Sequence, residues 1–352
     1  MEYCYKKVVV KVGTNVIAKS DGSLDRTVMA SLVQEISKLK NEAVDIIFVT
    51  SGAVGAGTSV VQIRQKANDV IRRQILASVG QITLMKIYSE LFATHHNICS
   101  QVLVTKEDFK DRQHYLNLKN CFEALLEHKI VPIVNENDVV SVTELMFTDN
   151  DELAGLIASM LNVNALIILT NVDGIFDGSS VLPVIKSGTN LENFISPETS
   201  SFGRGGMLTK ARLGAKLSKL GITTHIANGK NKQILGKILK GENVGTKFLP
   251  EKNLSSIKRW IAYSSGYEKG KVYVNKCAEE ALTSQTKAAS LLPVGITKIE
   301  GDFKKGDIVR IRNEQDKDIG FGLTQYDSSQ AREVIGKKNK RPFIHYDYLF
   351  LE

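Results

Sequence analysis

The 352-residue chain is 43% hydrophobic and 24% charged, the balance of an ordinary folded protein and not of a disordered or fibrous one. Its formal net charge of +8 is a modest excess that suits anionic small molecules as well as nucleic acid, and it does not decide between them. Residues 246–352 hold most of that excess, 19 Lys/Arg against 14 Asp/Glu, scattered and not in a block.

The cysteines, Cys4, Cys99, Cys121 and Cys277, stand far apart, with no CxxC and no His at metal spacing, so neither a disulfide framework nor a zinc site is expected. The stretch "MEYCYKKVVVKVG" has charges where a signal peptide needs its apolar segment. No apolar run approaches the roughly 20 residues that span a bilayer. A cytoplasmic protein is the expectation.

In chain order, the first β-branched run, 7–12, ends in "KVGTN". Lys11 lies inside it. A lysine in an apolar strand either meets a polar cleft or snorkels out at an edge. Next to the glycine turn at Gly13 it is placed to meet phosphate. Val28, Leu32, Val33, Ile36 and Leu39 then recur on one helical face, and a second strand, 45–50, runs into "TSGAVGAG". A helix over 81–92 carries Met85 at core spacing and ends before a surface turn at His95 and His96. A third strand, 98–104, precedes a helix whose face is Tyr115, Leu118, Phe122 and Leu125. The fourth strand, 130–134, leads into "NENDVV". "TDNDELA" then opens an apolar helix with Met160 at core spacing, and the fifth strand, 165–170, leads into "TNVDG". A sixth is expected over 223–227.

The strands are apolar on both faces, as in a sheet covered on both sides, and alternate with helices. This predicts an α/β fold with an open, mainly parallel sheet flanked by helices. Such sheets bind ligands at the carboxyl ends of their strands. One Gly/Asn/Asp-rich loop is ordinary turn chemistry, but four on one edge argue for a binding site.

Before the sixth strand, "SFGRGGMLTK" places Gly205 and Gly206 ahead of a helix with Lys210 in its first turn. A lysine suits that end of a helix poorly unless an anion is bound there. No GxxxxGK[ST], HRD or DFG element occurs. The polar residues form two groups: Asn135, Glu136, Asn137 and Asp138, then Asp149, Asn150 and Asp151. The second group reads as a helix cap or as a grip on a substrate; a metal site fits it poorly, because its carboxylates lack a chelating partner pattern. An EF-hand loop does not fit its spacing. Both groups suit an amino-acid ligand, with Asp for an α-ammonium and Asn or Ser for a carboxylate. After residue 245 the character changes. Residues 246–269 read as a linker and 270–352 as a small β-rich domain of short strands and polar turns.

"VVVKVGTNVI", "VTSGAVGAG", "VPIVNENDVV", "TDNDELAGLIA", "GGMLTK" and "LLPVGI" occur together in this one chain. Together they resemble the glutamate 5-kinases. Residues 1–245 resemble the amino acid kinase fold, and residues from about 270 resemble a PUA domain.

The resemblance implies ATP-dependent phosphorylation of the γ-carboxylate of L-glutamate, the first step of proline biosynthesis. It implies that Lys11 and Lys210 face phosphate and that Asp151 holds these lysines in place. It assigns Ser51, Asp138 and Asn150 to glutamate contact, with Asn135 and Asp149 in support. It assigns Lys11, Gly13, Thr170, Asn171, Arg204, Gly205, Gly206, Met207, Leu208, Thr209 and Lys210 to the nucleotide. Mg2+ would arrive with ATP, held by phosphates and water and by no dedicated protein ligands. Proline is implied as a feedback inhibitor, a homodimer or tetramer as the assembly, and glutamyl phosphate reductase as a channelling partner. The chain departs from the family pattern at Asn171, where Asp is common, at Leu208, where a small hydroxyl residue is usual, and at Arg204, often Thr. The loop after the fifth strand is also short.

Two alternatives stand beside this reading. One keeps the chemistry but changes the acceptor to acetylglutamate, aspartate, carbamate or UMP. The other makes the chain an RNA-binding protein through its PUA-like segment. That segment lacks a dense Lys/Arg stripe interleaved with aromatics, so nucleic acid is not the expected partner.

Overall fold

The computed structural model describes residues 3–63, 68–140, 150–186, 188–191, 194, 206–251, 258, 261–262, 268–284 and 289–351. The chain divides into two compact units, Met1–Asn253 and Leu254–Glu352.

The first unit begins with β1 (Lys7–Val12), α1 (Thr14–Ile17), α2 (Arg26–Asn41), β2 (Asp45–Thr50) and α3 (Ala53–Thr58). α4 (Asp69–Ala93), β3 (Cys99–Val104), α5 (Lys106–Lys110), α6 (Arg112–Glu127), β4 (Val131–Glu136), α7 (Asn150–Met160) and β5 (Ala165–Thr170) follow. Three two-residue strands, β6 (Phe176–Asp177), β7 (Ser180–Val181) and β8 (Val184–Ile185), precede α8 (Met207–Lys219), β9 (Thr223–Asn228), α9 (Ile234–Leu239) and β10 (Thr246–Phe248). The main sheet has the order β3-β4-β2-β1-β5-β9-β10-β8. It is parallel from β3 to β9; β10 runs antiparallel to β9.

Both faces of the sheet are covered, as parallel sheets require. On one face Val8, Val10 and Val12 of β1 join Leu32 and Ile36 of α2, Leu84 and Tyr88 of α4, and Leu235 of α9 in one core. Side chains alternate along a strand, so Val9 and Lys11 of β1 point to the other face, against which α7 lies. α2, α4 and α6 start on side-chain caps: Asp25 accepts from Thr27 and Val28, Asn68 from Val70, and Asp111 from His114.

Gly52 joins β2 to α3 with φ at +104°, a backbone only glycine adopts readily. The glycines beyond it serve packing. A Cβ on Gly80 of α4 would stand 1.8 Å from the Ala53 carbonyl oxygen, and one on Gly57 of α3 would stand 2.0 Å from that of Leu76. The backbones of α3 and α4 therefore touch where they cross.

The second unit holds β11 (Gly270–Val274), α10 (Lys276–Thr283), β12 (Ile296–Gly301), β13 (Ile308–Asn313), β14 (Asp318–Leu323), α11 (Ser328–Val334) and β15 (Leu349–Leu351). Its sheet order is β12-β11-β13-β14-β15, antiparallel except for β11 with β13. Val272, Ile311, Phe303 and Phe343 form its core. Arg310 and Arg312 are both paired with Asp318.

Four readings shift. Residues 246–248, taken as the start of a linker, form β10 of the main sheet. The helix expected over 81–92 begins at Asp69. β4 runs on to Glu136, so Asn135 and Glu136 are buried strand residues and not loop residues. β3 is an edge strand with Val104 alone fully buried among its six residues, so it is not covered on both faces. No helix among the described residues is long and apolar enough to cross a membrane.

Candidate active site

The carboxyl end of β1 supplies Lys11, only 2% exposed. It lies in register with Val49 of β2 and Ile168 of β5, on the face toward α7. The first turn of α7 presents Asp151, fully buried, and the first turn of α8 presents Lys210, 8% exposed. Lys11 Nζ lies 2.6 Å from Asp151 Oδ1, and Lys210 Nζ lies 2.9 Å from Asp151 Oδ2. One carboxylate thus fixes two ammonium groups from distant parts of the chain. Both ammonium groups lie in a buried place, where their charge acts on an incoming phosphate with little screening. Gly13 adjoins this corner: a Cβ there would be in ordinary contact with Lys11 Nζ, at 3.7 Å. Gly206 precedes α8 with no side-chain cap on the helix, which leaves the N–H groups of Met207, Leu208 and Thr209 without a side-chain partner from that position.

One residue before Asp151 the chemistry changes. Asn150 Nδ2 lies 2.9 Å from the Thr50 carbonyl, 2.9 Å from Ser51 Oγ and 3.0 Å from Asn135 Oδ1. Its own Oδ1 is buried with no partner among the described residues. Asn135 donates to Gln81 Oε1 at 2.9 Å. Ser51, Asn135 and Asn150 therefore meet, joined by Gln81 of α4.

Asp138 is not in this knot. Its Oδ1 accepts from Arg73 Nε at 3.0 Å and Nη2 at 2.7 Å, and the same Nη2 lies 3.8 Å from Glu136 Oε2. A cavity of about 260 Å3 beside these groups is lined by Ala53, Gln81, Leu103, Glu136, Asn137 and Asp138. A larger cavity of about 440 Å3, between α2 and α9, contains none of the expected site residues. The smaller one brings polar groups of the site together, as ligand pockets do.

Thr170 donates to Asn171 Oδ1 at 3.3 Å, and neither bonds to another of the expected nucleotide residues among those described. Asp173, just beyond, accepts from Asn228 at 3.0 Å and Asn231 at 3.2 Å, which ties the ends of β5 and β9 together. Asp149, Arg204 and Gly205 lie outside the described residues. No three His, Cys, Asp or Glu side chains come together as metal ligands among the described residues. The residues that sequence reasoning missed, Arg73, Gln81 and Asp173, are single polar positions whose partners lie far along the chain. "VNEND" hinted only that cations should be nearby.

The profile of the amino acid kinase family matches residues 6–228, and that of the PUA domain matches residues 270–343. The chain is 53% identical to a protein of Chlorobaculum tepidum named glutamate 5-kinase, covering 99% of this chain and 98% of that one. It is 50% identical to the glutamate 5-kinase of Bacteroides thetaiotaomicron, covering 100% of both. With one from a Thermoanaerobacter species it shares 38%, over 94% of this chain and 91% of the other.

Proposed function

Since this chain belongs to the glutamate 5-kinases of the amino acid kinase family and carries a PUA domain, we propose the following assignment of its residues to ATP-dependent phosphorylation of glutamate. Lys11 and Lys210 hold the transferring phosphoryl group, and Asp151 orients both. Ser51, Asn135, Asn150 and Asp138 hold glutamate, with Asp149 in support. The start of α8, from Arg204 to Lys210, and Gly13, Thr170 and Asn171 receive the nucleotide. The observation that carries this reading is the adjacency of Asn150 and Asp151, which sets a cationic pair one residue from a polar amide cluster.

A γ-carboxylate oxygen of glutamate forms the bond to the γ-phosphorus as the bond from that phosphorus to the bridging oxygen breaks, and ADP leaves. The nucleophile is ionised at neutral pH, so no base is required. The protein contributes position and charge, which is what phosphoryl transfer chiefly demands. Mg2+ would arrive with ATP and would supply neutralisation of phosphate charge.

Proline carries a carboxylate beside a cationic nitrogen, as glutamate does, and competes for the same amide and acid groups. The product is an acyl phosphate that water hydrolyses, which favours direct hand-over to glutamyl phosphate reductase. A homo-oligomer forms through the open side of β3 and α4, where Ile71, Ile75 and Ile82 are exposed.

Hydroxylamine traps the acyl phosphate as a hydroxamate. We expect hydroxamate from L-glutamate and ATP, less of it with L-proline present, and little from aspartate or acetylglutamate. Activity with another acceptor and none with glutamate would overturn the reading.

A further inference from the structure

Glu136 and Asp138 are two largely buried carboxylates two residues apart, and glutamate itself brings two more. Left alone they would repel each other and the substrate, and burying them uncompensated is costly. Arg73, from the first half of α4, lies between them. It spends both Nε and Nη2 on one oxygen of Asp138, Oδ1, and leaves Oδ2 with no hydrogen bond among the described residues. Its neighbour Gln74 donates from Nε2 to the Val139 carbonyl at 2.7 Å. Two successive residues of α4 therefore hold residues 138–139, one by side chain and one by backbone. Asp138 also lines the 260 Å3 cavity with Gln81.

We propose that Arg73 is a positioning residue for the acceptor amino acid: it locks Asp138 by one carboxylate oxygen and leaves the other to receive the α-ammonium of glutamate. This rests on the glutamate reading above. Glu136 and Asp138 set two carboxylates against the one guanidinium of Arg73, and the α-ammonium brings a further cation to Asp138. A diacid without the ammonium meets repulsion instead, so the same device that fixes Asp138 also selects against deaminated acceptors. The guanidinium suits the task because its planar fork fixes the carboxylate in rotation as well as in place.

Steady-state hydroxamate assays on the full chain test this with Arg73→Met, Arg73→Lys, Asp138→Asn and the Arg73→Met/Asp138→Asn double variant. Arg73→Met is expected to raise KM for glutamate about tenfold, with kcat within about threefold and KM for ATP unchanged. Arg73→Lys keeps the charge and is expected to hold KM within about threefold of wild type. Arg73→Gln guards against a Met variant that does not fold, and the same tenfold rise is expected of it. The double variant should be no worse than Asp138→Asn alone, the signature of one residue acting through the other. A KM within about twofold of wild type in both the Met and Gln variants, or fully multiplicative effects in the double variant, would overturn the proposal. A wild-type protein that makes no hydroxamate from glutamate would sink the glutamate reading itself, before any variant is compared.

Discussion

Asn150 and Asp151 are neighbours in the chain that bind different groups: the amide of Asn150 reaches Thr50, Ser51 and Asn135, while the carboxylate of Asp151 takes Lys11 and Lys210. An α-helix turns about 100° per residue, so one turn of α7 can serve two directions at once.

Their variants should therefore differ in kind. Asn150→Ala should raise KM for glutamate and leave KM for ATP alone. Asp151→Ala removes a partner shared by two buried ammonium groups and should cost about 3–5 kcal/mol of stability by urea denaturation. Matching kinetic and stability profiles for the two variants would contradict this division.

Lys210→Met removes a donor aimed at charge that develops only during transfer. It should lower kcat roughly 100-fold, about 3 kcal/mol in the barrier, with a smaller effect on KM. A kcat within about threefold of wild type would rule out that role.

Gly80→Ala should act at a distance from any ligand. Its Cβ would overlap the Ala53 carbonyl oxygen and lie 2.4 Å from the Gly57 nitrogen, so α3 and α4 must separate. Overpacking of this kind costs about 1–3 kcal/mol or more. Because α4 carries Gln81 to Asn135, KM for glutamate should rise as stability falls. Thermal unfolding beside KM would check both, and a variant of wild-type stability would mean that the crossing has slack.

His225 of β9 is buried, bonds through Nε2 to the Tyr5 hydroxyl at 2.9 Å, and lies across from Lys247. Burial first, and the Lys247 charge second, lower its pKa to about 3. In the unfolded chain it titrates near 6.5. Below that pH the unfolded state binds a proton that the folded state refuses, so its contribution to stability is whole above about pH 6.5 and is lost as pH falls toward 3. Between pH 6.5 and 5 the loss should reach about 2 kcal/mol. His225→Gln should flatten that part of the curve of urea midpoint against pH; an unchanged slope would refute the assignment.

Much of the site's chemistry was readable without coordinates. Lys11 announced itself as a cation in an apolar strand, and Lys210 as a cation at the wrong end of a helix. What stayed hidden depends on partners far along the chain. Arg73 is one of two adjacent arginines a turn past the Asn68 cap, and only the fold brings it to Asp138. The glycines of "GAVGAG" suggested a ligand edge because a phosphate and a second helix both require a missing Cβ. Only the approach of Gly57 and Gly80 decides for the helix. Likewise β4 outran its apolar pattern, since Asn135 and Glu136 are polar residues buried in a strand by their partners.

The carboxylate of Asp151 has each oxygen against an ammonium group, and the acceptor carboxylate comes to the site already ionised. A reaction run in this setting has no proton in flight at its summit. Turnover limited by chemistry should thus proceed at nearly the same rate in heavy water as in light, and a large solvent isotope effect would reveal a proton carrier that this architecture does not call for.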